Sequence, residues 1–351
     1  MKEKIILTKP LTIGPIKEIV LLGGGKLLRE LILWAKSEKI KVKVITSPRH
    51  EKEYIDKNKF SNFLREQKIQ YITTNDINTK LVKDFLRNSS NVFYLSCGSS
   101  WIFNSSAIIS LFNNKLFNLH STGLPQNRGG GGYSWQIMMG IKFGYSTLHL
   151  VDSGIDTGPI IKNEQFLFPA GARIPIDFEK VAEKNNLKFV TKFITDNRYK
   201  KKIIQITPQQ KYLSTYWPRL NSEISSWIDW SMSPEELERF ICAFDDPYSG
   251  AKTLVNGKIV KIKGAYLSSQ DGPFHSYQNG IIYRKGKNWL CVALNKLTLI
   301  ITKILDEKHR NIFEKINVGD RLATPGKKLE LSHKRIIYSP SGLKKEKKIK
   351  N

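Results

Sequence analysis

The sequence predicts an α/β fold with a mostly parallel sheet, followed by a smaller β-rich domain. Three observations carry this. Strand-like apolar runs alternate with helical periodicity from Lys17 to Thr195, a polar connector studded with aromatics follows at 208–219, and short strands separated by turn signals fill the stretch after Ser249. With 351 residues the chain exceeds the roughly 250–300 at which a single core stops growing, so two domains fit.

Lys17-Glu-Ile-Val-Leu-Leu22 reads as a buried strand, turned by Gly23-Gly-Gly25 into a helix whose apolar face carries Leu27, Leu31 and Trp34. Lys41–Thr46 is a second strand, Phe60–Lys68 a helix, Tyr71-Ile72 an edge element, Thr79–Arg87 a helix, and Asn91–Leu95 a strand that stops at Ser96-Cys-Gly98. Phe117-Asn-Leu-His120 and Ser146–Val151 are further extended runs, ended by Ser121–Pro125 and Asp152-Ser-Gly154. Ile160–Phe168 continues as a strand, and Ile176–Thr195 as a helix with Phe178, Val181, Leu187, Val190 and Phe193 on one side. Ser233 with Glu236 three residues on forms a capping box before the helix 234–244. Asn256-Gly257 joins two strands as a hairpin, and the strands that follow suggest a small barrel. The resulting divisions are 1–205, a connector at 206–227, a helix plus barrel at 228–325, and a basic tail at 326–351, disordered toward its end.

Hydrophobic residues at 40% and charged residues at 25% describe a folded, soluble protein. A net charge of +26 invites a polyanion partner, yet only 13 of the 57 basic residues are Arg, the residue whose planar fork matches phosphate. Cys97, Cys242 and Cys291 are far apart and lack the spacing of a metal cluster or disulfide framework, so no metal is expected. No apolar run approaches a membrane span, and the apolar stretch in the first ten residues is too short for a signal peptide, so the expected compartment is the cytoplasm. Gly23 and Gly25 fit two positions of a dinucleotide fingerprint, but Leu28 stands where a third glycine belongs and no acidic residue closes the second strand. Lys26 is followed by Leu27, with no Ser or Thr, which removes a phosphate-binding P-loop.

The chemistry-bearing pattern is Asn118-Leu119-His120 and Asp156, an amide, an imidazole and a carboxylate at the ends of two strands. In open α/β sheets ligands bind outside the carboxyl ends of strands. Three different polar functions at such an edge point to acid–base chemistry. Taken alone, an Asn-x-His pair could equally satisfy local backbone groups in a turn.

The run Phe117-Asn-Leu-His-Ser-Thr-Gly-Leu-Pro125, then Arg128-Gly129, then Asp152-Ser-Gly-Ile-Asp-Thr-Gly-Pro159 resembles the formyltransferases that use 10-formyltetrahydrofolate. The resemblance extends through Pro208-Gln209, Thr215-Tyr216, Ile228-Asp-Trp-Ser231 and Ala243–Ala251, and so covers roughly residues 17–325. It implies a Rossmann-like catalytic domain, a smaller OB-like domain, and Asn118, His120 and Asp156 as the catalytic trio. It implies folate contacts from the loop with Ser96, Gly98 and Trp101 and from Leu150, Asp152 and Ile155. The acceptor would meet Arg128, Gly129, Gly130, Tyr133, Trp135 and His149, with Arg128 available to a phosphate. Arg128-Gly-Gly-Gly-Gly-Tyr-Ser-Trp135 departs from the pattern of relatives, and so does Ser121-Thr-Gly123. The acceptor is therefore the least transferable inference. Expected partners are a small-molecule substrate, most simply a nucleotide-linked amino sugar, with initiator tRNA as the alternative and a non-catalytic nucleotide- or RNA-binding role as a third. A homo-oligomer stays open, and the face of His149 is not fixed by the sequence.

Such a reaction passes through a tetrahedral intermediate with charge on oxygen. The Asn118 amide could donate to that oxygen, His120 could take the amine proton, and Asp156 could hold the imidazolium.

Overall fold

The computed structural model describes residues 10–98 and 101–344. Its first domain is built on a seven-stranded sheet: β1 (Glu18–Gly23), β2 (Lys41–Thr46), β3 (Gln70–Thr73), β4 (Val92–Cys97), β5 (Leu116–His120), β6 (Phe143–Leu150) and β7 (Ile160–Leu167). Their order is β7-β6-β5-β4-β1-β2-β3. Strands β1 to β5 are parallel, whereas β6 pairs antiparallel with both β5 and β7. The strands are apolar on both faces, as a sheet covered by helices on both sides requires. Val20, Leu22 and Ile45 pack with Phe112 and Val82 on one face, and Ile19, Leu21 and Val44 with Leu28, Phe189 and Phe193 on the other.

The helix after the triple glycine spans Lys26–Ser37. Its buried residues are Leu28, Leu31, Ile32 and Ala35, so Leu27 and Trp34, expected at the centre of its apolar face, are only partly covered. The reason is that the helix lies between the sheet and the long helix Pro175–Asn197, which turns its inner face toward Leu28 and Ile32. That long helix also reaches the strand ends. Asn186, 2% exposed, accepts from Ser146 Oγ of β6 at 2.7 Å and donates to Ser121 Oγ, just past β5, at 3.0 Å.

The connector contributes a short strand, Thr215–Trp217, parallel to Asn127–Gly129. The second domain opens with the helix Pro234–Ala243, where Ser233 and Glu236 form the expected capping box. Six strands follow, with Ala251–Val255, Lys258–Ser268 and Leu297–Leu305 at their centre. Leu322 donates to the Gly280 carbonyl and Ile282 to that of Asp320, at 2.8 and 2.9 Å, so the two ends of this antiparallel sheet meet and it curls into a small barrel. One apolar cluster joins the domains, running from Ile137, Phe168 and Phe178 to Leu237, Ile241 and Ile262.

The tail differs from the expected basic run. Residues 326–344 include the helix Gly326–Ser332 and a hairpin of Tyr338-Ser339 with Gly342-Leu343, while 345–351 lie outside the described residues. No helix among the described residues is long and apolar enough to cross a membrane.

Replacing Asn186 with Ala strips Ser146, 1% exposed, of its partner. Stability should fall by about 2 kcal/mol, the cost of leaving a buried polar group unpaired. Urea unfolding checks this: the midpoint should drop with an unchanged slope.

Candidate active site

Asn118 and His120 alternate with Leu119 at the carboxyl end of β5, so both side chains leave the same face of the sheet. The cross-strand register sets His149 of β6 directly opposite Asn118. Opposed residues share a face, so pairing settles what the sequence left open. The β6–β7 register also shifts between Leu148 and His149, an irregularity that re-aims the strand at this point.

Asp156 closes the cluster from the loop after β6. Its backbone lies in the left-handed region at φ 53°, a conformation that Asp tolerates better than most side chains. One carboxylate oxygen accepts from the Gly129 N–H at 2.9 Å and lies 3.7 Å from His120 Nδ1. The other lies 3.5 Å from His149 Nε2 and accepts a longer hydrogen bond, 3.4 Å, from Asn118 Nδ2. The same Asn118 nitrogen is 3.0 Å from His149 Nε2. The amide nitrogen therefore points inside the cluster at two acceptors, rather than standing free toward an incoming oxygen.

The neighbours assign the tautomers. His120 Nε2 faces the Asn127 carbonyl at 2.7 Å and the Thr122 hydroxyl at 2.6 Å, and Thr122 Oγ1 itself donates to that carbonyl at 2.8 Å. Nε2 therefore carries the proton and the Nδ1 lone pair faces Asp156. His149 Nδ1 donates to the Leu150 carbonyl at 2.8 Å, which leaves its Nε2 to accept from Asn118.

Burial lowers the pKa of His120 below its ordinary value, and the Asp156 charge and the Asn127 carbonyl only partly offset this. Burial pushes Asp156 upward. The hydrogen bond and charge that His149 offers when protonated, the charge that His120 gains likewise, and the Gly129 N–H outweigh it and hold the carboxyl at about 2. The cluster is thus a fixed anion beside a neutral imidazole.

These four side chains open on a cavity of about 290 Å³. Ser96, Gly98, Trp101, Asp152 and Ile155, proposed from the sequence for folate, line it, as do Gly129 and Gly130. Leu150 does not; it ends β6 with its carbonyl turned to His149, and Val151 lines the cavity in its place. Asp152 caps its own loop, accepting from Gly154 N–H at 3.1 Å and Thr157 Oγ1 at 2.5 Å.

Three residues expected at the acceptor are elsewhere. Arg128, 8% exposed, donates from Nε and Nη2 to Gln209 Oε1 at 3.0 and 2.9 Å, so its guanidinium is committed to the connector. Tyr133 lies against Phe168 and Phe178, and Trp135 donates to the Pro218 carbonyl at 2.8 Å. Gly129 and Gly130, although they line the cavity, are not slack backbone either. A Cβ on Gly129 would meet the Trp217 carbonyl at 2.3 Å, and one on Gly130 would meet Arg219 Cγ at 2.3 Å. They are glycines because the connector packs onto them.

Sequence reasoning missed Thr122, Gln209, Tyr216, Arg219 and the segment 335–338. Gln209 donates to the carbonyls of Asp156 at 2.9 Å and Gly158 at 2.6 Å, holding the loop that presents Asp156. Tyr216, Arg219 and residues 335–338 line the cavity. Local periodicity carries no signal for Gln209, Tyr216, Arg219 and 335–338, because each acts across a long sequence separation, whereas Thr122, two residues from His120, reads as one more turn residue.

An open α/β sheet carrying an amide, two imidazoles and a carboxylate at its edge, joined to a small antiparallel barrel, defines the class. A family model described as the C-terminal domain of formyl transferases matches residues 222–315. The methionyl-tRNA formyltransferase of Agathobacter rectalis is 29% identical over 202 residues, covering 57% of this chain and 62% of that protein. The chain thus spans about three-fifths of the length of such curated relatives. Among solved structures, an N-formyltransferase from Helicobacter canadensis in complex with folinic acid and dTDP-3-aminofucose shares the fold, with a TM-score of 0.59, 18% identity, and coverage of 82% of this chain and 99% of that one. WlaRD, a sugar 3N-formyl transferase, does so with a TM-score of 0.58 and 19% identity over 82% of this chain and 98% of that one. The second domain thus matches the formyl transferase C-terminal family, and the chain is similar in sequence to formyltransferases.

Asp156 has a folded pKa of about 2, below its ordinary 3.8. Its ionisation therefore stabilises the fold fully above about pH 4, by about 2 kcal/mol, and this contribution is lost as pH falls toward 2. Asp156→Asn should lack this pH-dependent contribution. Chemical denaturation at a series of pH values should show wild type losing stability relative to the variant on acidification; a difference independent of pH would contradict the assignment.

Proposed function

We propose that this chain transfers a formyl group from 10-formyltetrahydrofolate to the primary amine of a small acceptor, an amino sugar carried on a nucleotide. The observation that carries this reading is the single cavity onto which Asn118, His120, His149 and Asp156 all open. His120 Nδ1, neutral and 3.7 Å from Asp156, is placed to take a proton from the attacking amine and to return it to the nitrogen that leaves the formyl carbon. The imidazolium formed in between pairs with Asp156, whose carboxylate is already ionised. Asn118 donates to the oxygen that becomes negative. Its 3.4 Å bond to Asp156 is weak, and is the one the amide gives up as charge builds on that oxygen.

The donor side suits a flat, polar-edged ring. Ser96 Oγ and Trp101 Nε1 are buried with no hydrogen-bond partner among the described residues, and both residues line the cavity. A pterin offers donors and acceptors around its rim that would satisfy them, with Ile155 and Val151 beside it. The acceptor side is walled by Tyr216, Arg219 and residues 335–338, and a cavity of about 290 Å³ suits a small molecule.

A second acceptor, the methionine amine on initiator tRNA, is favoured by the net charge of +26. The two separate in a direct assay. With 10-formyltetrahydrofolate, formylation of nucleotide-linked amino sugars and none of charged initiator tRNA is expected; the reverse would exchange the acceptors.

His120→Ala should lower kcat/KM by at least about 10²-fold, and Asn118→Ala by about 10²-fold, without unfolding the protein. For wild type, kcat/KM should rise with pH through a value below the ordinary 6.5 of histidine and then level off, because the neutral imidazole is the working form. A profile that falls across that range would remove His120 as the base.

A further inference from the structure

The C-terminal segment crosses back from the barrel side to the first domain. Arg49 N–H donates to the Pro340 carbonyl at 3.3 Å, Ser341 Oγ to Asn75 Oδ1 at 2.7 Å, and Asn221 Nδ2 to the Tyr338 hydroxyl at 2.9 Å. The Tyr338 ring also carries two cations, with the guanidinium carbons of Arg49 and Arg219 each 5.6 Å from its centroid. This contact pattern is a latch. It draws on the loop after β2, on the connector and on the tail at once.

The latch places charge at the cavity. Arg219, whose stem packs on Gly130, and Arg335 both line it. Neither pairs with a carboxylate among the described residues, for no ion pair includes them. The two acids of the cavity are already engaged: Asp156 by the imidazoles and the Gly129 N–H, Asp152 by Gly154 and Thr157. Arg128, the arginine first expected to meet a phosphate, is committed to Gln209. Burial and the nearby Arg49 charge both disfavour the cation at Arg219, and an anion at this wall would relieve that.

The geometry points to an anion seat in which Arg219 and Arg335 hold the phosphate or diphosphate of the acceptor, Arg335 being delivered there by the Tyr338 latch. What the cavity does with that acceptor rests on the formyl-transfer reading, but the seat can be tested apart from it. Guanidinium forks bind phosphate oxygens in pairs, and the loss of one charge-assisted contact weakens binding by about tenfold or more.

Inorganic pyrophosphate is titrated calorimetrically into the full-length protein and into Arg219→Gln, Arg335→Gln and Tyr338→Ala, with tetrahydrofolate titrated in parallel. Gln keeps the methylene stem over Gly130, and Arg335 is exposed, so its variant tests the seat without touching the core. Wild type should bind pyrophosphate, each variant should bind it at least about tenfold more weakly, and tetrahydrofolate affinity should be equal throughout. Undiminished pyrophosphate binding in both Arg variants, or none in wild type, overturns the seat. Full pyrophosphate affinity in Tyr338→Ala overturns the latch. Failure of wild type to bind tetrahydrofolate would count against formyl transfer, while the pyrophosphate results would still decide the seat.

Discussion

One buried carboxylate organises the site. Burial alone would favour the neutral acid, and Asp156 stays ionised because each oxygen accepts an N–H, that of Gly129 on one and of Asn118 on the other, with an imidazole beside each that adds its charge on protonation. Remove the charge and the two imidazoles lose the partner that sets their spacing. The loop that presents it is held by Gln209, which donates to the Asp156 and Gly158 carbonyls, and Gln209 is in turn oriented by Arg128. Arg128 is thus a positioning residue two contacts removed from the carboxylate. Its neighbour Gly129 supplies the amide that touches it.

That chain of contacts ties the strand-end cluster to the second domain. The connector strand pairs with Asn127–Gly129, the segment whose carbonyl fixes the His120 tautomer. The helix Gly132–Met138 follows directly and is anchored by Ser134 Oγ to the Ala243 carbonyl at 2.8 Å. Arg173 adds a second tie, donating to the Ala265 carbonyl at 2.6 Å and pairing with Glu238. The barrel therefore bears on the geometry at His120 through the connector and this helix, although it contributes no side chain to the trio.

How far the sequence could be read follows from these distances along the chain. The strands β1 to β5 were legible because buried parallel strands are continuous apolar runs broken by turn residues. Asn118 and His120 were legible because they sit where such a run stops, and Asp156 because it lies in the turn-rich loop after β6. The face of His149, named as an acceptor contact, was not, since a period of two gives two faces and only the pairing with Asn118 chooses between them. Arg128 and the glycines after it were misjudged for a related reason. A loop with one arginine and four glycines reads as an open surface until Trp217 and Arg219, some ninety residues later, are seen packed against it. The tail was read by its charge, but Tyr338 finds its partners at Arg49, Arg219 and Asn221. No local pattern encodes those contacts.

The two sides of the cavity thus differ in how they are built. The wall carrying Asn118, His120 and Asp156 comes from strand ends and the turns that follow them, short segments whose positions are set by the sheet. The wall carrying Tyr216, Arg219 and residues 335–338 comes from the connector and from a tail that travels back across the molecule. Contacts of the first kind are enforced by the sheet. Those of the second kind are free to change with any alteration in the connector or tail. Specificity for the proposed acceptor is therefore to be sought in Arg219, Arg335 and Tyr338 rather than in the glycine loop beside His120.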